Sequence, residues 1–416
     1  MKALGIPLGI SFTFWFIVGV LRFLTERLSA LRKTRKKRSY KSSDIAVILP
    51  AHNEEEVIRN SIQFLKKSLD KSQIYVVSDG SYDKTYRRAR MEGCHVSRLT
   101  PGRGKAKALV YLLKRHHLFE RYKLIFIVDA DTKIDPGFVQ VALKLFDDPD
   151  VGVVFGSARI FWPQHFIPSW KYYLISYRER LNRLLQYFLI YGVTWKHTNT
   201  SFVIPGFATI YKSKILKKLE IDTPGLLIED FNLAFQVHKR KLTKIGYSPS
   251  MIGWDQHPDN LKDYWNQVKR WNIGFFQTVK KNRVWPSFFW LSLSVFSIEV
   301  FLNSLFILVL PFLILFLVSG YLAGLDPAFA GYHEVFVNTV PFKDLNLSVI
   351  LIAVFLVDYI TTVTIGLINK KPQFILYGLF FFFMHYVTSL ILISSLVPGF
   401  FGKSDGRWTS PKRRDE

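Results

Sequence analysis

The residues best suited to chemistry in this chain are carboxylates that follow apolar runs. Asp79 opens Asp79-Gly80-Ser81 after residues 74–77, Asp129-Ala130-Asp131 follows residues 124–128, and Glu229-Asp230 stands ahead of a helix-like stretch at 231–239. A bare charge is costly to bury, so such groups need partners. Asp129 and Asp131 form an oxygen-rich pair suited to Mg2+ or Mn2+, ions that bridge the oxygens of a diphosphate. Asp79 either shapes a turn, for which Asp-Gly-Ser is favourable, or hydrogen-bonds the base of a nucleotide. Lys105 follows Gly104 at the start of a helical pattern. It is either solvated or binds phosphate at a helix N-terminus. Glu229 and Asp230 are either helix caps or a general base, Asp230, with Glu229 as its supporting carboxylate. Gln267, Arg270 and Trp271 fall at i, i+3 and i+4, so one helical face presents all three. The Arg suits a diphosphate and the Trp a sugar ring, although a membrane-proximal amphipathic helix would also carry them.

The elements that must position these groups read as an α/β domain. Strand-like runs at 45–51, 74–77, 94–96 and 124–128 alternate with helical spacing at 53–67, 83–91 and 105–116. That rhythm implies a mostly parallel sheet covered by helices. Ligands of such sheets bind beyond the carboxyl ends of the strands, where Asp79 and Asp129 both fall. Residues 168–190 repeat aromatic and leucine positions at helical spacing with basic residues between, which favours an amphipathic helix in a membrane interface over ordinary packing.

Of the 416 residues, 49% are apolar, and their distribution is uneven. Residues 3–21 carry no charge and approach the ~20 needed to cross a bilayer. The basic cluster Arg32, Lys33, Arg35, Lys36, Lys37 and Arg38 follows, so the positive-inside rule places the N-terminus outside and the following residues in the cytosol. Three apolar stretches lie at 287–323, 346–368 and 373–400, the first entering as an interfacial helix and crossing from about residue 301. Three crossings would leave the basic tail outside, so one stretch, 373–400, is expected to lie at the cytosolic interface. The domain plan is then a span at 1–24, a basic cytosolic linker at 25–43, a catalytic domain at 44–284, membrane and interfacial helices at 285–400, and a cytosolic tail at 401–416. Net charge is +24. With no nucleic-acid-binding motif present, that charge suits anionic lipid and an anionic substrate rather than nucleic acid. Cys94 is the only cysteine, which excludes an intrachain disulfide.

Taken together, Leu49-Pro50-Ala51-His52-Asn53-Glu54-Glu55, Val77-Ser78-Asp79-Gly80-Ser81, Gly104-Lys105-Ala106-Lys107-Ala108-Leu109, Val128-Asp129-Ala130-Asp131-Thr132, Ile228-Glu229-Asp230 and Gln267-Val268-Lys269-Arg270-Trp271 resemble the processive membrane glycosyltransferases of family 2. That group includes the synthases of poly-N-acetylglucosamine, hyaluronan, chitin and cellulose, and the first is the nearest in pattern. The resemblance implies a GT-A fold, a Rossmann-like mixed sheet in the cytosol carrying transmembrane and interfacial helices. It also implies a UDP-sugar donor, UDP-N-acetylglucosamine above others, with Mg2+ or Mn2+. Pro50, Ala51, Asn53, Glu54, Asp79, Lys105 and Asp129 would serve the nucleotide, and Asp129 and Asp131 the metal. Asp230 would be the base beside Glu229. Gln267, Arg270, Trp271 and Gly206 would line the acceptor and diphosphate region, and Trp408 and Arg413 a tail that folds over the nucleotide. The acceptor would be a growing polysaccharide, or in single-transfer relatives a lipid. The setting would be the plasma membrane, with room for an accessory membrane subunit. His52 and Ile228 depart from the residues common at their positions, a Tyr and a Thr.

Overall fold

The computed structural model describes residues 17, 39–161, 170–188, 193–339 and 347–402. The span expected at 1–24, nearly all of the linker at 25–43, and the tail with Trp408 and Arg413 lie outside the described residues. Of the described residues, those up to Ser297 together with those from Ser395 form one compact unit, and those within Ile298–Ser394 form a second.

The first unit alternates strand and helix. In chain order its first elements are β1 (Ile45–Ala51), α1 (Ile58–Lys66), β2 (Ile74–Asp79), α2 (Thr85–Met91), β3 (His95–Leu99), α3 (Lys105–Arg115), α4 (Leu118–Arg121) and β4 (Leu124–Val128). There follow β5 (Lys133–Ile134), α5 (Phe138–Leu145), β6 (Val151–Ile160), α6 (Trp170–Phe188), β7 (Ala208–Lys212), α7 (Ser213–Leu216), α8 (Glu229–Lys239), β8 (Lys244–Asp255) and α9 (Leu261–Asn282). Every residue of β1, β2 and β4 is buried, as near-continuous apolar strands covered on both faces must be. Helix α1 begins at Ile58 rather than near 53, because Asn53 has φ 54° and cannot open a right-handed helix.

One eight-stranded sheet runs β3-β2-β1-β4-β7-β6-β8-β5. It is mixed rather than mostly parallel. Strands β3, β2, β1 and β4 are mutually parallel, whereas β7 runs antiparallel to both β4 and β6. That reversal has a consequence for the site. It sets the start of β7, at Ala208, against the end of β4, at Val128, and so brings the segment before β7 beside the carboxylates that follow β4. Asp129 N–H continues the ladder by donating to Phe207 O at 3.1 Å.

Helix α6 differs from an amphipathic surface helix. Residues 172–180 are buried on every side, Arg178, Glu179 and Arg180 included, and Asn182 and Arg183 are buried as well. Of its basic positions Arg178, Arg180 and Arg183 are packed, while Lys171 is exposed.

The apolar C-terminal elements are α10 (Phe288–Ala323), α11 (Ala330–Thr339), α12 (Leu347–Ile368), α13 (Gln373–Gly378) and α14 (Phe381–Phe401). Three segments are long and apolar enough to cross a membrane: α10, Leu351–Ile368 within α12, and α14. Helix α10 has 36 residues and is continuous through Pro311. At 1.5 Å per residue it measures ~54 Å, well beyond a bilayer core of ~30 Å. The stretch expected at 373–400 divides into α13 and α14, and α14 meets the length and composition of a span. Asp358 and His385, far apart in sequence, face each other at 3.2 Å between α12 and α14.

Candidate active site

Two interlocked loops follow β1 and β2. Asn53 N–H donates to Ser81 Oγ at 3.2 Å, and Asn53 Oδ1 accepts from Tyr82 N–H at 3.1 Å. Glu54 N–H donates to Thr85 Oγ1 and Glu55 N–H to Asp83. His52 Nδ1 lies 2.6 Å from Asp79 O, which can only accept, so Nδ1 carries the proton. Pro50 and Ala51 are the last two residues of β1, buried against Val77 and Ser78. Glu54 is 1% exposed. These three therefore frame the loop from within the fold.

Asp79 is 2% exposed, and both of its oxygens are engaged: Oδ1 accepts from Arg103 N–H and Oδ2 from Gly104 N–H, each at 2.7 Å. Its carboxylate thus fixes the glycine loop that opens α3. Gly80 is required at the crossing, with φ +66° and the backbone of Gly102 only 2.7 Å from where a Cβ would stand. Sequence spacing gave Asp79 a place in the cleft but no hint of this loop-holding role.

Beyond that loop the catalytic candidates converge. Lys105, the first residue of α3, puts Nζ 2.9 Å from Asp129 Oδ1 and 3.2 Å from Glu229 Oε1. Asp230 accepts from Gly206 N–H at 2.9 Å through Oδ2, and its backbone O accepts from Ile204 N–H. The segment 204–207 is therefore a strut pinned to Asp230 at one end and Asp129 at the other. A Cβ on Gly206 would come 2.6 Å from Lys105 Nζ and 2.8 Å from Asp230 Oδ1, so a side chain there would displace both. Glu229 and Asp230 lie in the first turn of α8, where the helix dipole favours negative charge.

Electrostatics follow from three carboxylates around one ammonium. Burial alone would lower the Lys105 pKa, but Asp129, Glu229 and Asp230 outweigh it and hold the lysine well above its usual value. Asp230 is pushed up to about 7, by burial first and by Glu229 next, with Asp129 adding; Lys105 and the Gly206 N–H act in the opposite direction. Tyr211, buried on β7, is also raised well above the usual phenol value, by burial and then by Asp230 and Glu229. It stays a neutral phenol beside the carboxylates, and nothing in its apolar strand context marked it beforehand.

Asp131 follows in the turn after β4, partly exposed. Among the described residues no group of three or more His, Cys, Asp or Glu side chains could hold a metal by itself. Asp129 and Asp131 instead fit a cation shared with substrate phosphates, the usual mode for Mg2+. Lys105, already seated among the carboxylates, marks the place as one that attracts positive charge.

Gln267, Arg270 and Trp271 lie on α9, which is tied to the start of α8. Leu227 N–H donates to Gln277 Oε1 at 2.9 Å, Asn282 donates to Asn232 at 2.9 Å, and Gly274 leaves room for Ile228, whose side chain would stand 3.0 Å from a Cβ there. Gln267 Oε1 is buried with no hydrogen-bond partner among the described residues. The Arg178 guanidinium of α6 lies 4.4 Å from the centre of the Trp271 ring and contacts His257, which pairs with Asp255 at 3.2 Å. Arg178 was legible in the sequence only as a basic position on an amphipathic helix.

Residues 46–219 match the family model Glycosyl transferase family 2. A probable glycosyltransferase of Bacillus subtilis, YdaM, is 27% identical over 305 residues, spanning 67% of this chain and 69% of that protein. YaiP, an uncharacterized glycosyltransferase of Escherichia coli, is 22% identical over 277 residues, 63% of this chain and 64% of that protein. Among solved structures, the mannosyltransferase PcManGT of Pyrobaculum calidifontis, in complex with GDP-Man and Mn2+, is similar over 95% of this chain and 98% of its own, with a TM-score of 0.55 at 16% identity. At that identity the likeness carries the fold, which is GT-A. The match gives residues 46–219 the likeness of a family 2 glycosyltransferase domain, and the enzyme class that it and the YdaM likeness support is glycosyltransferase.

Proposed function

We propose that this protein is an inverting, metal-dependent, processive β-glycosyltransferase of a cell membrane, polymerising a UDP-sugar, UDP-N-acetylglucosamine in the first instance, and passing the chain outward. The observation that carries the reading is the convergence of Lys105, Asp129, Glu229 and Asp230 around Gly206, beside a helix bearing Gln267, Arg270 and Trp271. PcManGT holds GDP-Man and Mn2+, which brings a nucleotide-sugar donor and a divalent cation to the proposal. The preference for UDP rests on the motifs.

In this reading the loops after β1 and β2 receive the base, with Asn53 and Asp79 at their meeting point. Asp79 keeps lone pairs beyond the two that hold Arg103 and Gly104. Asp129 and Asp131 would hold Mg2+ or Mn2+, which when bound neutralises charge developing on the departing diphosphate. Arg270 grips the diphosphate, Gln267 offers its unpaired carbonyl to a sugar hydroxyl, and Trp271 stacks on the acceptor with Arg178 behind it. Asp230 takes the proton of the acceptor hydroxyl. An ordinary Asp is a weak base, and a pKa near 7 suits general-base work at neutral pH. Glu229 helps to keep that value high. The tail bearing Trp408 and Arg413 would close over the nucleotide. Its start lies beside α9, where Lys280 Nζ donates to Phe400 O at 2.6 Å and Phe276 packs on Phe400.

Asp230→Asn should abolish transfer by at least about 10³-fold while UDP binding, read by calorimetry, persists. Loss of UDP binding in a folded variant would remove Asp230 from the role of base.

A second reading, transfer of one sugar to a lipid, has one observation in its favour. Phe231, next to Asp230, belongs to a set of phenylalanines with Phe202 and Phe275, and Phe202 also meets Phe296 on α10. Phenyl rings without polar handles suit hydrocarbon better than sugar. Product size separates the two.

A further inference from the structure

Three carboxylates around a single ammonium leave excess negative charge, and the ammonium stands where a divalent cation is wanted. We propose that Lys105 is a resident counter-ion that exchanges partners: it neutralises Asp129 and Glu229 until the donor binds, then moves to the diphosphate as a divalent cation takes over Asp129. The proposal rests on the reading of Asp129 as a metal ligand.

The geometry supports exchange over a permanent ion pair. The root of the lysine is fixed, because Asp79 holds the Arg103 and Gly104 amides and Gly104 has φ +91°. The side chain beyond it is a flexible stem with a compact charge, and it is 19% exposed. Only a glycine at 206 leaves the ammonium room beside Asp230. Helix α3 spans 11 residues, so its N-terminus is a favourable place for a phosphate, and Lys105 stands at that terminus. The ammonium and a divalent cation at Asp129 would repel each other at short range. A diphosphate removes the conflict by giving the ammonium a second partner. Lys105 thereby makes metal binding depend on the nucleotide.

Mn2+ binding to the full-length protein in nanodiscs, read by electron paramagnetic resonance with and without UDP, tests this. Wild type should bind Mn2+ weakly alone and far more tightly with UDP. Lys105→Met should bind Mn2+ alone at least about tenfold more tightly than wild type, while Lys105→Arg, which keeps the charge, stays weak. Lys105→Gln serves if the Met variant does not fold. A second readout has the opposite sense: Asp129→Asn loosens the ammonium, so UDP binding in EDTA should tighten. Unchanged Mn2+ affinity in the neutral variants, or weaker UDP binding in Asp129→Asn, overturns the exchange and leaves the metal reading in place. If wild type binds no Mn2+ even with UDP, the metal reading fails and the exchange with it.

Discussion

At the scale of single residues, the proposed base is one acid, Asp230, and its environment sets how pH would act on it. Asp230 must be ionised to accept a proton, so kcat/KM should rise with pH along a limb centred near 7 and fall away below it. A rate–pH profile flat from 5 to 8 would contradict this. The same shift acts on stability in the other direction. Between about pH 4, the unfolded value, and about 7, the folded protein keeps a proton that the unfolded chain releases, so stability falls as pH rises through that window. Asp230→Asn carries no such charge. It should melt a few degrees above wild type at pH 8 and level with it near pH 4. The carboxylates were legible in the sequence because strand-end acids stand out from apolar runs. Their partners were not: Tyr211 looks like any buried strand residue, and Arg178 like any helical arginine, until the fold brings each to its neighbour.

At the scale of elements, the site depends on how α8 and α9 meet. Ile228, which departs from the residue common at its position, packs on Gly274 of α9, and Gln277 and Asn282 complete the seam. Gly274→Leu would force α9 away from the Glu229-Asp230 turn. The expected cost is ~1–3 kcal/mol of stability, read by thermal melting, with a loss of kcat larger than any change in UDP affinity. A variant with normal kcat would show that α9 need not sit so close. Periodicity placed β1 and β4 to the residue and found β2 and β3 with ends cut short, whereas β5, β6, β7 and β8 were not read from the sequence. The antiparallel insertion of β7 was beyond such reasoning, since a short apolar strand carries no mark of its direction. That insertion is what delivers Gly206 to Asp129 and Asp230.

At the scale of the whole molecule, three of the described helices are long and apolar enough to cross a membrane. Hydropathy marked all three apolar segments, but length and composition do not count crossings. The basic tail gives the expected topology: a cysteine introduced at Ser410 should resist a membrane-impermeant thiol reagent applied to intact cells and react after permeabilisation. Labelling from outside would reverse the assignment.

Giving the purified protein in nanodiscs radiolabelled UDP-N-acetylglucosamine with Mn2+, and sizing the product, decides whether it polymerises this sugar. Release of UDP and a hexosaminidase-sensitive ladder of high mass are expected, both absent with Asp230→Asn. Product equal in wild type and Asp230→Asn, or a single lipid-mobile product in place of a ladder, would contradict the proposed function.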